Sequence, residues 1–264
     1  MQFLKNRELD CIRFYMGDPD VPEIFRGGLK AYNTINALLH KGIQNELDLI
    51  SENRVIEIYD QDHLKQYLDL MINIYQSMIH YVNEYENHHL ITYKIDRYST
   101  ILQMKKNQYI EGFFSTCKYG FLEEYAHIKK DVVLIEIVRD CHIPYLDFEC
   151  LFHEKYAKKD EAEILIPFHT KLSLIEELEL SKDEKNQYFD MNGHAPIGKY
   201  RIHLENENIV TQRIEEFEIL KDVERVQSCI SNLMKHKELN QKDLEFYTKW
   251  KDDLRNYLLF KIFE

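Results

Sequence analysis

Hydrophobic spacing changes character twice along the chain, and those two changes most restrict the fold. Between about residues 29 and 85 apolar side chains recur every three or four positions: Tyr32, Ile35, Leu39, Ile43, Leu47 and Ile50, then Leu64, Leu68, Met71, Tyr75, Met78 and Val82. That spacing draws one apolar stripe down a helix, so it predicts helices over about 29–50 and 62–85. Near residue 89 the pattern becomes strand-like. It predicts strands over 89–97, 112–117, 132–138, 161–168 and 199–204, with Val132-Val133-Leu134-Ile135-Glu136-Ile137-Val138 as a central one. Helical repeats return after Asn208, through Leu220, Val223, Val226, Ile230 and Leu233, then Leu244, Tyr247, Trp250, Leu254 and Leu258. They predict helices over about 210–235 and 240–262.

The segments between the strands are short or irregular and lack the regular helical crossovers of a doubly wound sheet. The expected class is therefore α+β, with a two-layer, mostly antiparallel β core. Three regions follow: an N-terminal helical lobe over 1–88, a β-rich core over 89–208 and a C-terminal helical extension over 209–264. Only 8 Gly and 5 Pro argue against a loop-rich all-β chain, and 44% hydrophobic residues in 264 supply a core.

A net charge of -12 disfavours broad, non-specific phosphate binding, although it leaves room for a local basic groove. The five cysteines are scattered and show no Cys-x-x-Cys spacing, which reads as reduced thiols rather than a disulfide frame or zinc site. No apolar stretch has transmembrane length and the N-terminus lacks a signal-peptide hydrophobic region. The expectation is a cytoplasmic protein that does not engage a membrane; secretion without a cleaved signal stays compatible.

Chemistry concentrates at Asp160-Glu161-Ala162-Glu163-Ile164-Leu165-Ile166-Pro167-Phe168. Residues i and i+2 of a strand share a face, so Glu161 and Glu163 would stand side by side at the mouth of a buried strand. Like charges repel, and folding alone gains nothing from that arrangement. A solvated strand end is the plain structural reading; a site that stabilises positive charge or moves a proton is the functional one. Upstream lie an aromatic and basic strand end, Tyr93-Lys94-Ile95-Asp96-Arg97, and the run Phe113-Phe114-Ser115-Thr116-Cys117.

In that order, these three pieces resemble the Arg / Ser-Thr-Ser / Glu-x-Glu signature of the mono-ADP-ribosyltransferases, the family of arginine-modifying toxins and vertebrate ecto-enzymes. The resemblance covers about residues 89–204. It implies an ADP-ribosyltransferase-type core and an enzyme that cleaves the nicotinamide–ribose bond of NAD, with NAD as substrate and no metal. Glu163 would stabilise the cationic ribose and accept from its 2′-hydroxyl, and Glu161 would orient or deprotonate the acceptor. Ser115 would hold the Glu163 rotamer, Thr116 would support the strand, and Phe113, Phe114 or Tyr119 would face the nicotinamide. Tyr93 and Ser115 would complete the NAD site.

Two positions depart from the family pattern. Lys94 occupies the slot of the usual arginine, with Arg97 three residues on, and Cys117 stands where the second Ser is common. A planar guanidinium meets a diphosphate bidentately, which favours Arg97 as the clamp; Lys94 remains the other candidate. The implied enzyme is an intracellular toxin or effector acting on a macromolecule, protein arginine first; the alternative acceptor is RNA or DNA, in a toxin–antitoxin or anti-phage system with a cognate antitoxin or inhibitor. An NAD glycohydrolase and a catalytically inactive binding module of the same fold are the other readings. The loop at 155–160, with Tyr156 and Lys158, would contact the acceptor.

Other signals carry less. His88-His89 lacks a matching carboxylate cluster, His153-Glu154 lacks a second histidine, and Cys141-His142 would point to opposite faces of a strand. Neither Gly-x-Gly-x-x-Gly nor Gly-Lys-Ser/Thr occurs.

Overall fold

The structure is a computed structural model that describes residues 6–17, 31–52, 54–84, 91–128, 131–152, 162–189, 193–209 and 211–264. The chain opens with helices α1 (Asn6–Met16), α2 (Ala31–Leu39), α3 (Gln44–Ser51) and α4 (Gln61–Glu84). The middle holds β1 (Ile91–Arg97), α5 (Tyr98–Asn107), β2 (Tyr109–Ile110), β3 (Phe114–Cys117), α6 (Glu123–Ile128), β4 (Val132–Arg139) and β5 (Leu146–Asp147). It continues with α7 (Phe148–Phe152), β6 (Glu163–Ile166), β7 (Thr170–Leu178), α8 (Lys182–Gln187) and β8 (Gly198–Glu205). Helices α9 (Glu216–Leu220), α10 (Val223–Met234) and α11 (Gln241–Phe263) close it.

Two compact units result, one from residues 1–80 with 208–264 and one from 81–207. The two helical ends, counted separately in the sequence reading, thus fold as one unit. At its centre the Lys251 ammonium and the Glu46 carboxylate are fully buried together. Lys251 Nζ also donates to the Gly42 carbonyl (2.6 Å), and the Tyr247 hydroxyl donates to Glu46 Oε1 (3.0 Å).

The single helix expected over 29–50 is interrupted. Gly42 adopts φ +61, which a residue with a side chain reaches only with strain, and the chain turns there between α2 and α3. The helix expected over 210–235 likewise breaks into α9 and α10 at Lys221-Asp222. Helix α5 was not expected: only Ile101 and Met104 of its ten residues are buried, too sparse a stripe to register.

The second unit is built on an eight-stranded sheet ordered β2-β7-β8-β4-β1-β3-β6-β5. All neighbours are antiparallel except β4 and β8, which run parallel from Val133↔Gly198 to Arg139↔Leu204. The expectation of a mostly antiparallel α+β core holds. As the hydrophobic run suggested, β4 is central, and Val133, Leu134, Ile135 and Ile137 are completely buried. On one face Ile95, Val132 and Leu134 pack with Ala126 of α6 and with Tyr188, flanked by Phe121, Tyr125 and Leu180.

One joint in the sheet positions the candidate site. Strands β1 and β4 are paired along their length, from Ile91↔Val138 to Arg97↔Val132. Strands β1 and β3 share a single registered pair, Tyr93↔Cys117. The sheet therefore has a long arm, β2-β7-β8-β4-β1, and a short arm, β3-β6-β5, connected at one rung.

Candidate active site

The register of the short arm brings two of the three sequence motifs together. Strand β3 pairs with β6 from Phe114↔Ile166 through Ser115↔Leu165 and Thr116↔Ile164 to Cys117↔Glu163. Registered partners point the same way and alternate along each strand, so Ser115, Cys117 and Glu163 share one face. Cys117 is the direct neighbour of Glu163; Ser115 stands one step along, at a diagonal separation of roughly 7–8 Å. The Thr116 hydroxyl turns the other way and donates to the Ile164 carbonyl (3.1 Å), fully buried, which ties β3 to β6.

The rung Tyr93↔Cys117 carries that face onto the first motif. Tyr93 and Arg97 lie on the Glu163 side of the sheet by alternation. Lys94 lies on the other side with Phe114 and Thr116. Its Nζ sits 4.6 Å from the centre of the Phe114 ring and donates to the Ser115 carbonyl (2.8 Å), with Asp96 Oδ2 at 3.8 Å. Of the residues singled out for NAD, Tyr93, Arg97, Ser115 and Glu163 thus share a face, and Lys94, Phe114 and Thr116 do not. Phe113 is buried edge-on against Phe168, whereas Tyr119 is 73% exposed. Glu161, Tyr156, Lys158, His88-His89 and His153-Glu154 lie outside the described residues or their described side chains.

The same rung extends across the long arm. Tyr93 pairs with Glu136 and Glu136 with Arg201, giving one row, Arg201–Glu136–Tyr93–Cys117–Glu163, across five strands. Arg201 donates to Glu136 Oε2 through Nε (3.0 Å) and Nη2 (2.7 Å), and Lys199 Nζ lies 3.1 Å from the other oxygen. Burial pushes the Glu136 carboxyl up, but the hydrogen bonds from Arg201 and Lys199 outweigh it and hold the group below the usual range. Lys199 is shared with Glu184 (2.8 Å), whose helix α8 opens on a capping box with Ser181. Motif reading passed over this network, although a lone acid inside the apolar run Val132–Val138 was its visible signal.

A second overlooked group lies at the end of β3. Lys118 follows Cys117, and its Nζ meets Asp147 Oδ2 at 2.5 Å and Glu149 Oε2 at 2.8 Å. The Lys118 and Asp147 side chains are each 2% exposed. Burial lowers the affinity of this amine for its proton, and the hydrogen bonds it donates to the two carboxylates raise it further than burial lowers it. The Lys118 N–H donates to the carbonyl of Ala162 (3.1 Å), a residue at φ +34, immediately before Glu163.

Ligand atoms of Asp140, Cys141 and His142 lie within 4.8 Å of one another on an exposed turn after β4. The His142 N–H donates to Asp140 Oδ1 (2.9 Å), and that local turn accounts for their convergence. No helix among the described residues is long and apolar enough to cross a membrane.

No protein-family model matches the sequence, and no curated protein matches it. Several solved structures are similar to the chain. The SpvB ATR domain of Salmonella is 16% identical with a TM-score of 0.45, over 76% of this chain and 100% of that one. BECa, an ADP-ribosylating toxin of a binary enterotoxin of C. perfringens solved with NADH, is 15% identical with a TM-score of 0.43. That match covers 76% of this chain and 44% of BECa. The ADP-ribosyltransferase Vis from Vibrio splendidus, solved with the M6 inhibitor, is 15% identical with a TM-score of 0.40, over 80% and 78% of the two chains.

Proposed function

We propose that the chain is an NAD-dependent mono-ADP-ribosyltransferase that transfers ADP-ribose to a macromolecular acceptor, with protein arginine as the first-choice target. The observation that carries this reading is the pairing of β3 with β6. It sets Cys117 beside Glu163 and Ser115 one step along on the same face, which the rung Tyr93↔Cys117 continues to Tyr93 and Arg97. Tyr93 and Arg97, Ser115 and Cys117, and Glu163, from three stretches apart in sequence, lie on one side of one sheet.

The roles follow from charge. When the bond between ribose C1′ and the nicotinamide nitrogen breaks, its electron pair leaves with neutral nicotinamide and positive charge builds on the ribose. A fixed carboxylate at Glu163 stabilises that charge in the transition state more than in the ground state, as in glycoside cleavage. The contribution is on the order of 3 kcal/mol, comparable to an oxyanion-hole donor. A nitrogen of the acceptor guanidinium then bonds to C1′, and Glu161 takes the proton it gives up. Arg97, on the Glu163 face, clamps the diphosphate. Lys94, already directed at the Ser115 carbonyl from the opposite face, steadies β3 instead.

Incubation with radiolabelled NAD tests the proposal. Wild-type protein is expected to release nicotinamide and to label a protease-sensitive polymer in cell lysate. Label that resists protease but yields to nuclease moves the acceptor to RNA or DNA. NAD loss without label makes the protein a glycohydrolase. A folded protein that neither binds nor consumes NAD overturns the enzyme reading. Replacing Arg97 with Ala is expected to raise KM for NAD at least tenfold; a larger rise from Lys94→Ala reverses the assignment of the clamp.

A further inference from the structure

We propose that the buried Lys118–Asp147 ion pair is a positioning device for Glu163, a belt across the back of β6 that sets where its carboxylate points. The inference rests on the reading of Glu163 as the catalytic carboxylate.

The register puts the two ends of the belt on either side of β6. Lys118 follows Cys117, the partner of Glu163 on β3, and Asp147 on β5 is the partner of Ile164. Ile164 points away from the Glu163 face by alternation, and Asp147 goes with it. The ion pair at 2.5 Å therefore passes behind the strand at the level of Glu163. It does not touch the substrate side.

Three further contacts converge on the same place. The Lys118 N–H donates to the Ala162 carbonyl (3.1 Å), holding the residue before Glu163 at φ +34, a left-handed conformation costly for any residue with a side chain. Asp147 accepts from the Cys150 N–H (3.1 Å), anchoring the belt to the start of α7. Glu149, which receives the second Lys118 bond, also accepts from the Tyr119 hydroxyl (3.1 Å).

Stability alone does not account for an ion pair here. Desolvating two charges offsets most of their attraction, and apolar side chains of equal size often fill such a place as well or better. An ion pair supplies direction: Nζ and the carboxylates fix the spacing of β3 and β5 about β6, where the ladder itself is only four and two residue pairs long. A carboxylate at the end of so short a strand needs such support, because small displacements of a catalytic group carry large rate costs.

Steady-state nicotinamide release and thermal melting of five proteins test the belt: wild type, Lys118→Met/Asp147→Leu, Lys118→Arg, Asp147→Asn and Glu163→Gln. The double variant is expected to melt close to wild type, with kcat lowered about 10- to 100-fold and KM for NAD within about threefold. Lys118→Arg, which retains the pair, is expected to keep kcat within about threefold. A folded double variant with near wild-type kcat overturns the proposal. Should that variant fail to fold, Asp147→Asn decides against Lys118→Arg: a lower kcat in the asparagine variant alone supports the belt, and equal values overturn it. Wild-type protein without turnover, or full turnover in Glu163→Gln, overturns the reading of the site and the belt with it. Unchanged kcat in the belt variants, with Glu163→Gln inactive, overturns the belt alone.

Discussion

The two arms of the sheet differ in how far their ladders run. In the long arm, β1, β4 and β8 are paired residue by residue along their whole lengths, and Leu134, Ile135, Ile137 and Ile202 are excluded from water. Their stability comes from apolar burial and an unbroken ladder. In the short arm Leu146, Ile164, Leu165 and Ile166 are equally buried, but the ladders are brief and polar side chains add ties: Thr116 to the Ile164 carbonyl, Lys94 to the Ser115 carbonyl, Lys118 to Asp147. The lesson is a division of labour. The long arm is a scaffold, joined to the short arm by one rung and by Lys94, and the directional bonds within the short arm can orient a carboxylate.

Removing chemistry from one arm and burial from the other separates their roles. Glu163→Gln is expected to lower nicotinamide release at least about a hundredfold while the melting temperature stays near wild type. Comparable turnover in the two proteins would take the site away from the short arm. Ile135→Ala, in the long arm, is expected to cost about 2–5 kcal/mol in urea unfolding, with turnover per folded molecule unchanged. A loss of activity without a loss of stability would show that the scaffold takes part in the reaction.

Glu136→Gln gives a smaller, pH-dependent effect that tests the polar network of the long arm. Arg201 and Lys199 depress the Glu136 carboxyl against the opposing effect of burial, so the stabilisation is present above the unfolded carboxyl pKa of about 4.3 and is lost as pH falls through the lower folded value. Wild type is expected to exceed the variant by about 1–2 kcal/mol at neutral pH and to converge with it in acid. A difference that persists under acid would assign the effect to packing. The smallest effect belongs to Thr116→Val, which removes one buried hydrogen bond between β3 and β6 at nearly constant volume. About 1 kcal/mol of denaturant stability is expected to go, and an unchanged midpoint would remove Thr116 from the ties of the short arm.

Much of the architecture was visible in the residues, and the gaps have physical causes. The apolar run 132–138 marked a central strand because only a fully buried strand tolerates so little polarity. Stripes on α4 and α11 marked helices with one covered face. A stripe says that a face is covered and leaves its cover unnamed, so the union of residues 1–80 with 208–264 could not be read. The parallel pairing of β4 with β8 escaped for the same reason: periodicity records faces, and partners are a matter of register.

The candidate site divides in the same manner. Alternation alone separates Ser115 from Thr116 and Lys94 from Tyr93. The bridge Tyr93↔Cys117 then aligns Glu163 with Arg97 and leaves Lys94 on the reverse face. That bridge lies between segments about two dozen residues apart, and no local pattern announces it. Lys118 was passed over because a lysine after a strand is ordinarily a solvated end. Its two carboxylate partners come from a different part of the chain.

The placement of β8 bears on how the molecule is made. This strand slots between β7 and β4, and its pairing with β4 joins Glu136 to Arg201 across 65 positions of sequence. Until it emerges from the ribosome, β7 and β2 have no neighbour through which to join the remaining strands. Synthesis must therefore pass residue 205 before the sheet can close, by which time every motif of the proposed site has long been translated.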